Sequence, residues 1–114
     1  MSGPVLPKAH LARVDERKLK DYLLNQAHPR GRSKAEFFRA RGFTDRDWQR
    51  MADALRHHAQ TNLVSGERTT EYAVTYSLDC HLPTPDLSNP CIRTVWEVRP
   101  DDPRPRLITA YPLG

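Results

Sequence analysis

A change of hydrophobic period near residue 66 constrains the fold of this 114-residue chain more than any other feature. Before this point, apolar residues recur at helical spacing. The longest stripe consists of Trp48, Met51, Ala52, Leu55 and Ala59. After this point, apolar and polar residues alternate, which is typical of half-buried strands. The clearest alternation consists of Tyr72, Val74, Tyr76 and Leu78. Helices followed by strands predict an α+β fold, with N-terminal helices packed on one face of a small antiparallel sheet.

The length of the chain fits one domain with a single hydrophobic core. Its first residues contain Pro4 and Pro7 and show little periodicity. We therefore expect a flexible N-terminal arm over residues 1–14 and one α+β domain over residues 15–114. Within that domain we expect helices over about 15–64 and the sheet over about 69–112.

Three helices are predicted from their start signals. Asp15 is a suitable N-cap for the first helix, and Thr44 for the third. Ser33 and Glu36 have the spacing of a capping box, which places the start of the second helix at Ser33. Gly42 follows that helix where a left-handed residue is favoured.

Positive charge is concentrated in the helical half. Residues 1–66 carry 13 Lys and Arg against 7 Asp and Glu, whereas residues 67–114 carry 5 against 7. Arg accounts for 14 of the 18 cations, and its planar guanidinium suits bidentate phosphate contacts. The distribution favours a polyanionic partner, although a general preference of the genome for Arg codons would give the same composition.

Four basic or titratable side chains surround the start of the second helix: His28, Arg30, Arg32 and Lys34. A helix start presents unpaired N–H groups and the positive end of the helix dipole, so it favours an anion. We therefore predict a phosphate site here, with Ser33 as a cap and a phosphate contact. His28 is the residue best suited to move a proton near neutral pH. Taken singly, each residue could instead be a turn residue or a solvated charge.

The strands add polar and aromatic candidates. Thr94 and Trp96 share one face of a strand over about 92–98, and Thr109 and Tyr111 share one face of a strand over about 106–111. These hydroxyls could line a groove in which a base stacks on an aromatic ring. Taken alone, Trp96 is expected to be a core residue, whereas Tyr111 fits the groove and the core equally.

Several site classes are not expected. Cys80 and Cys91 flank a Pro-rich loop and could form a disulfide, but we expect free thiols in a cytoplasmic protein, because no signal peptide is recognisable. Neither a metal site nor a cofactor is predicted. The adjacent His57 and His58 point in different directions on a helix and are expected at the surface. No segment has the length of a membrane span.

The chain resembles an uncharacterised bacterial domain family in four places. The matching segments are Leu23-Leu24-Asn25 with His28-Pro29, Ser33-Lys34-Ala35-Glu36-Phe37-Phe38, Thr94-Val95-Trp96, and Leu107-Ile108-Thr109-Ala110-Tyr111-Pro112. This family is similar to the small polymorphic-toxin RNase domains of the barnase, EndoU, colicin and RelE type. The resemblance implies N-terminal helices on a four-stranded antiparallel sheet, and RNA cleavage without metal. It also implies a small immunity or antitoxin protein as partner, which we expect to be acidic by charge complementarity.

Metal-free RNA cleavage requires a base, an acid and cations that stabilise the charge on phosphorus. We predict His28 as base or acid, with Lys34, Thr109 and Tyr111 as the other catalytic residues. The predicted phosphate- or RNA-binding residues are Arg30, Arg32, Ser33, Thr94 and Trp96. The alternative is a non-catalytic module that binds nucleic acid or protein within a toxin–immunity or toxin–antitoxin system.

Overall fold

The computed structural model describes residues 4–30 and 32–113. A 3₁₀ turn, Ala9–Leu11, precedes three helices and four strands. Helix α1 (Glu16–Lys18) continues directly into a π-helical segment, Leu19–Leu23, and is followed by α2 (Arg32–Ala40) and α3 (Trp48–Thr61). The strands are β1 (Val64–Thr69), β2 (Val74–His81), β3 (Cys91–Arg99) and β4 (Asp102–Pro112). The predicted α+β fold is confirmed.

The four strands form one antiparallel sheet in the order β1-β2-β3-β4, so β1 and β4 are its edges. Residues of β3 alternate between two environments: Ile92, Thr94 and Trp96 are buried, and Arg93, Val95 and Glu97 are partly exposed. Helix α3 packs on the buried face. We call the other face the open face.

The core lies between this buried face and the helices. Its largest fully buried side chains include Trp96, Phe38, Leu19, Met51 and Leu55. The Trp48–Thr61 helix supplies the predicted apolar stripe, although Trp48 itself is only partly buried. The residues that we expected to form a flexible arm also contribute: of the described range 4–14, Leu6, Ala12 and Val14 are buried in this core.

Some predicted boundaries are wrong. Helix α3 begins at Trp48 and not at Thr44, because Thr44 caps a turn by accepting a hydrogen bond from the Asp47 amide at 3.2 Å. The sheet was expected from about residue 69, but β1 begins at Val64, and the Ser65-Gly66 pair lies inside this strand at a register shift against β2. Gly42 has the predicted left-handed conformation, with φ of 104°.

A second register shift decides which face β4 presents to solvent. Leu107 pairs with Trp96, but Thr109 pairs with Val95, so Ile108 is an extra residue in β4. Because one extra residue reverses the side-chain alternation, Leu107 and Thr109 point to opposite faces. An uninterrupted strand would place Leu107 on the same face as Thr109 and Tyr111, and the extra residue separates it from them. Thr109 and Tyr111 belong to the open face.

The two cysteines are free thiols in neighbouring strands. A hydrogen bond between them, together with burial, raises the pKa of Cys91 to about 11. No helix among the described residues is long and apolar enough to cross a membrane.

Candidate functional site

Lys34 connects the helices to the open face of β4. It lies in the first turn of α2, and its Nζ donates hydrogen bonds to the Tyr22 hydroxyl at 2.5 Å and to Thr109 Oγ1 at 3.2 Å. The same Nζ lies 4.9 Å from the centroid of the Tyr22 ring and 5.6 Å from that of Tyr111. One ammonium group on α2 thus contacts two aromatic rings and two hydroxyls, which belong to the π-helical segment and to β4.

Tyr22 is a site residue that the sequence analysis did not select. It is only partly buried, and its hydroxyl accepts the Lys34 hydrogen bond. Burial raises the pKa of Tyr22, but the hydrogen bonds and charges of Lys34, Thr109 and Lys18 together outweigh burial, so this pKa lies below its ordinary value. The neighbouring ammonium favours the phenolate form, so a larger fraction of Tyr22 is deprotonated at a given pH than of an ordinary tyrosine.

His28 packs against the other side of this cluster. Its ring meets the edge of Tyr22 with centroids 5.0 Å apart and planes at 72°. The backbone N–H of Arg30 donates to His28 Nδ1 at 3.1 Å. A neutral imidazole that accepts at Nδ1 carries its proton on Nε2. In this tautomer His28 is a donor at Nε2.

The basic residues at the start of α2 do not all converge on Lys34. The helix begins at Arg32, so Ser33 is not its N-cap, and the predicted capping box is wrong. Glu36 instead accepts a hydrogen bond from Arg32 Nε at 3.1 Å, which partly neutralises that guanidinium. Arg30, Arg32 and Ser33 are all exposed around the site.

Thr94 and Trp96 are placed elsewhere than predicted. Both are fully buried, on the face of the sheet that the helices cover. Trp96 Nε1 donates to Thr94 Oγ1 at 2.9 Å, and that oxygen lies 3.0 Å from Nδ1 of His58. The hydroxyl and the indole are thus parts of a core hydrogen-bond chain, and neither presents a surface to RNA.

His58, which we expected at the surface, completes that chain. It is fully buried, and its Nε2 lies 3.0 Å from the Cys80 carbonyl oxygen. A carbonyl can only accept, so Nε2 carries the proton and Nδ1 accepts from Thr94. Burial lowers the pKa of His58, and the hydrogen bond to Cys80 opposes this shift only in part. The exposed neighbour His57 is at the surface, as predicted.

A polar row crosses the open face and ends at Tyr111. In this row Asp79 on β2 pairs with Arg93 on β3, which pairs with Tyr111 on β4. Arg93 donates from Nε and Nη2 to the two Asp79 carboxylate oxygens at 2.7 and 2.9 Å. The sequence analysis did not predict this row, because its members are far apart in the chain and become neighbours only through the register of the strands.

An open groove of about 490 Å³ runs from this cluster along the first helix. Its lining residues are Asp15, Arg17, Lys18, Asp21, Tyr22, His28 and Arg106. Tyr22 and His28 are accessible to solvent from this groove. Arg and Lys outnumber Asp among its lining residues, three to two. No group of three His, Cys, Asp or Glu side chains suited to one metal ion occurs among the described residues.

Comparison with protein families gives one match. The family described as a domain of unknown function, DUF6883, matches residues 5–114. The chain belongs to this family. Since the match covers both the helices and the sheet, the members of DUF6883 share the whole domain and not only a motif.

Among solved structures, a chain of the contact-dependent growth inhibition toxin–immunity protein complex from Klebsiella pneumoniae 342 is similar to this DUF6883 domain. The TM-score is 0.75 and the sequence identity 20%, over 93% of this chain and 97% of that chain. At this identity the similarity establishes a shared fold. A search of curated proteins finds no match.

Proposed function

We propose that this domain is a toxin-type endoribonuclease that cleaves RNA without a metal ion at the Lys34 cluster. The observation that carries the proposal is the convergence of Lys34, Tyr22, Thr109, Tyr111 and His28 at the β4 edge. An ammonium, an imidazole and hydroxyl groups within one cluster supply the functional groups that phosphodiester cleavage requires. The similarity in fold to a chain of a toxin–immunity protein complex supports a role in a toxin system.

The reaction uses the RNA itself as nucleophile. The 2′-oxygen attacks the adjacent phosphorus and loses its proton to a base, while the bond from phosphorus to the 5′-oxygen breaks. The leaving 5′-oxygen takes a proton from an acid, and the negative charge on the phosphoryl oxygens is stabilised by cations and hydrogen-bond donors. The products are a 2′,3′-cyclic phosphate and a 5′-hydroxyl.

The geometry suggests a role for each residue. His28 is assigned as the acid for the leaving oxygen: it takes up a proton at Nδ1, which displaces the hydrogen bond from the Arg30 N–H, and the resulting imidazolium then releases its Nε2 proton. Tyr22, with its lowered pKa, is assigned as acceptor of the 2′-hydroxyl proton. Lys34 stabilises the phosphoryl charge, and Thr109 and Tyr111 orient the phosphate from the sheet. Arg30, Arg32 and Ser33 at the rim bind the flanking RNA backbone.

The partner in this proposal is a small acidic immunity or antitoxin protein. The chain has a net charge of +4, with its excess of cations in the helical half. Complementary charge accelerates association and favours an acidic inhibitor over other proteins. Such an inhibitor would cover the Lys34 cluster.

The test is cleavage of a fluorogenic RNA by the purified protein in excess EDTA. We expect cleavage of the RNA and none of the same sequence with 2′-O-methyl groups, because methylation removes the nucleophile. His28→Ala should lower kcat/KM by about 10²–10⁴-fold, as expected for loss of an acid–base group. His57→Ala, which removes an exposed imidazole on α3, is the matched control and should leave cleavage unchanged.

One observation favours a second candidate, a binding module without catalysis. Lys34 is already engaged by two hydroxyls and two aromatic rings of the chain itself, which would suit a structural cation. In that case the protein binds RNA in a salt-sensitive manner, the RNA stays intact, and His28→Ala behaves like His57→Ala.

A further inference from the structure

Arg93 is a second cation beside Tyr111 that the reaction described above does not use. Tyr111 is the direct cross-strand neighbour of Arg93, and both residues lie on the open face. Lys34 Nζ lies 5.6 Å from the centroid of the Tyr111 ring. Tyr111 therefore has two neighbouring cations, one from α2 and one from β3.

Asp79 fixes the orientation of the Arg93 guanidinium. Its two carboxylate oxygens accept from Nε and Nη2, at 2.7 and 2.9 Å, which holds the planar group in one position. The remaining N–H groups of the guanidinium stay available for a second acceptor. The Arg93 side chain is 35% exposed, so a ligand on the open face can reach it.

An ion pair at a partly exposed surface adds little to folding stability, because solvent screens both charges. The two hydrogen bonds matter more for binding than for folding stability. They already restrict the rotation of the Arg93 guanidinium, so less conformational entropy is lost when a ligand binds it. An oriented, partly exposed guanidinium beside a hydroxyl and an ammonium is an arrangement that suits a phosphate.

We propose that Arg93 binds a backbone phosphate of the RNA, so that the strand crosses the open face from Lys34 past Tyr111 to Arg93. Asp79 is the positioning residue that holds the guanidinium in place. This inference rests on the proposed function, because it assigns a further part of the same RNA-binding site.

The experiment measures binding of a fluorescent, fully 2′-O-methylated RNA hexanucleotide, which cannot be cleaved, by anisotropy. Arg93→Gln should weaken its affinity about tenfold or more, as expected for a hydrogen bond between charged groups. Arg56→Gln is the matched control, because Arg56 also pairs with a carboxylate, Asp53, but lies on α3. It should bind like the wild type. Arg93→Lys keeps the positive charge but loses the planar, bidentate guanidinium, so its affinity should lie between those of the wild type and Arg93→Gln.

Asp79→Asn separates positioning from a general effect on the fold. It should weaken binding several-fold in the wild-type background but not in the Arg93→Gln background, since its effect passes through the guanidinium. Equal weakening in both backgrounds would overturn the role of Asp79.

The two proposals fail in different ways. If the wild type binds the hexanucleotide and Arg93→Gln binds it equally well, the Arg93 assignment is overturned and the proposed function stands. If the wild type does not bind it, the proposed function is overturned, and the Arg93 assignment with it.

Discussion

Replacing Thr94 with Val tests the buried hydrogen-bond chain that fixes β3 against α3. Val preserves the shape of Thr but has no hydroxyl, so Trp96 Nε1–H loses its acceptor at 2.9 Å and His58 Nδ1 loses its donor at 3.0 Å. Both groups are fully buried, and no water can replace the lost partner without entering the core.

The expected cost follows from these two groups. An unsatisfied buried polar group costs about 1–3 kcal/mol, so Thr94→Val should lower the free energy of unfolding by about 2–4 kcal/mol. The protein should remain folded at 25 °C, because domains of this size have about 5–15 kcal/mol of stability. Thr94→Ser keeps the hydroxyl, loses only a methyl group and should cost about 1 kcal/mol.

Urea denaturation followed by tryptophan fluorescence and circular dichroism measures both free energies. A Trp96→Phe background removes the indole donor, so Thr94→Val should cost about 1 kcal/mol less there than in the wild type. The reasoning is refuted if Thr94→Val costs less than Thr94→Ser, or if its cost is the same in both backgrounds.

Three further predictions concern pH, backbone and charge. Burial lowers the pKa of His58 in the folded protein, so the unfolded state binds more protons than the folded state as the pH falls. The free energy of unfolding should therefore fall from pH 7.5 to 5.5, by at most about 1.4 kcal/mol per pH unit. A His58→Gln variant that kept the full slope in urea titrations would contradict this. Gly42→Ala should lower the free energy of unfolding by about 2 kcal/mol or more, since φ at Gly42 is 104° and a Cβ there would lie 2.7 Å from Pro85 Cβ. Thermal unfolding measures this loss, and an unchanged stability would refute the predicted strain. Lys34→Met should raise the pKa of Tyr22 in an absorbance titration at 295 nm, and an unchanged curve would show that Lys34 does not control it.

Local patterns in the sequence predicted the element types well. The helical stripe ending at Ala59 reflects burial on one side of α3, which the order of residues records directly. The alternation from Tyr72 to Leu78 predicted a strand, but Tyr72 precedes β2 and is exposed, and Leu78 is the fully buried residue of the four. Strand β1 was missed because Val64–Thr69 has only one large apolar residue and is mostly exposed. β1 is held in the sheet by its pairing with β2, which its own sequence does not indicate.

The site was only partly predictable for a different reason. Lys34, Thr109, Tyr111 and His28 were chosen one by one, and their proximity depends on tertiary packing and on the extra residue Ile108 in β4. Sequence periodicity cannot locate such a bulge in advance.

Contacts through space also explain the two largest errors. Tyr22 fits a helix core pattern, yet its hydroxyl reaches Lys34 outside the core. His58 was expected at the surface because histidine is polar. In the structure, Thr94 and the Cys80 carbonyl provide hydrogen-bond partners for both ring nitrogens, so the ring can be buried. A buried polar residue with complementary partners leaves no local signal in the sequence.

The central claim is that the groups around Lys34 form one site for a phosphodiester. Its most direct test compares the rate of metal-free RNA cleavage in EDTA for the wild type, Lys34→Met and the control Lys20→Met, which removes a partly exposed ammonium paired with Glu16. The account predicts cleavage by the wild type and by Lys20→Met, and a loss of about 10²–10³-fold in Lys34→Met, the usual cost of removing one group that stabilises the transition state. Equal rates in all three proteins, or intact RNA with each of them, would contradict it.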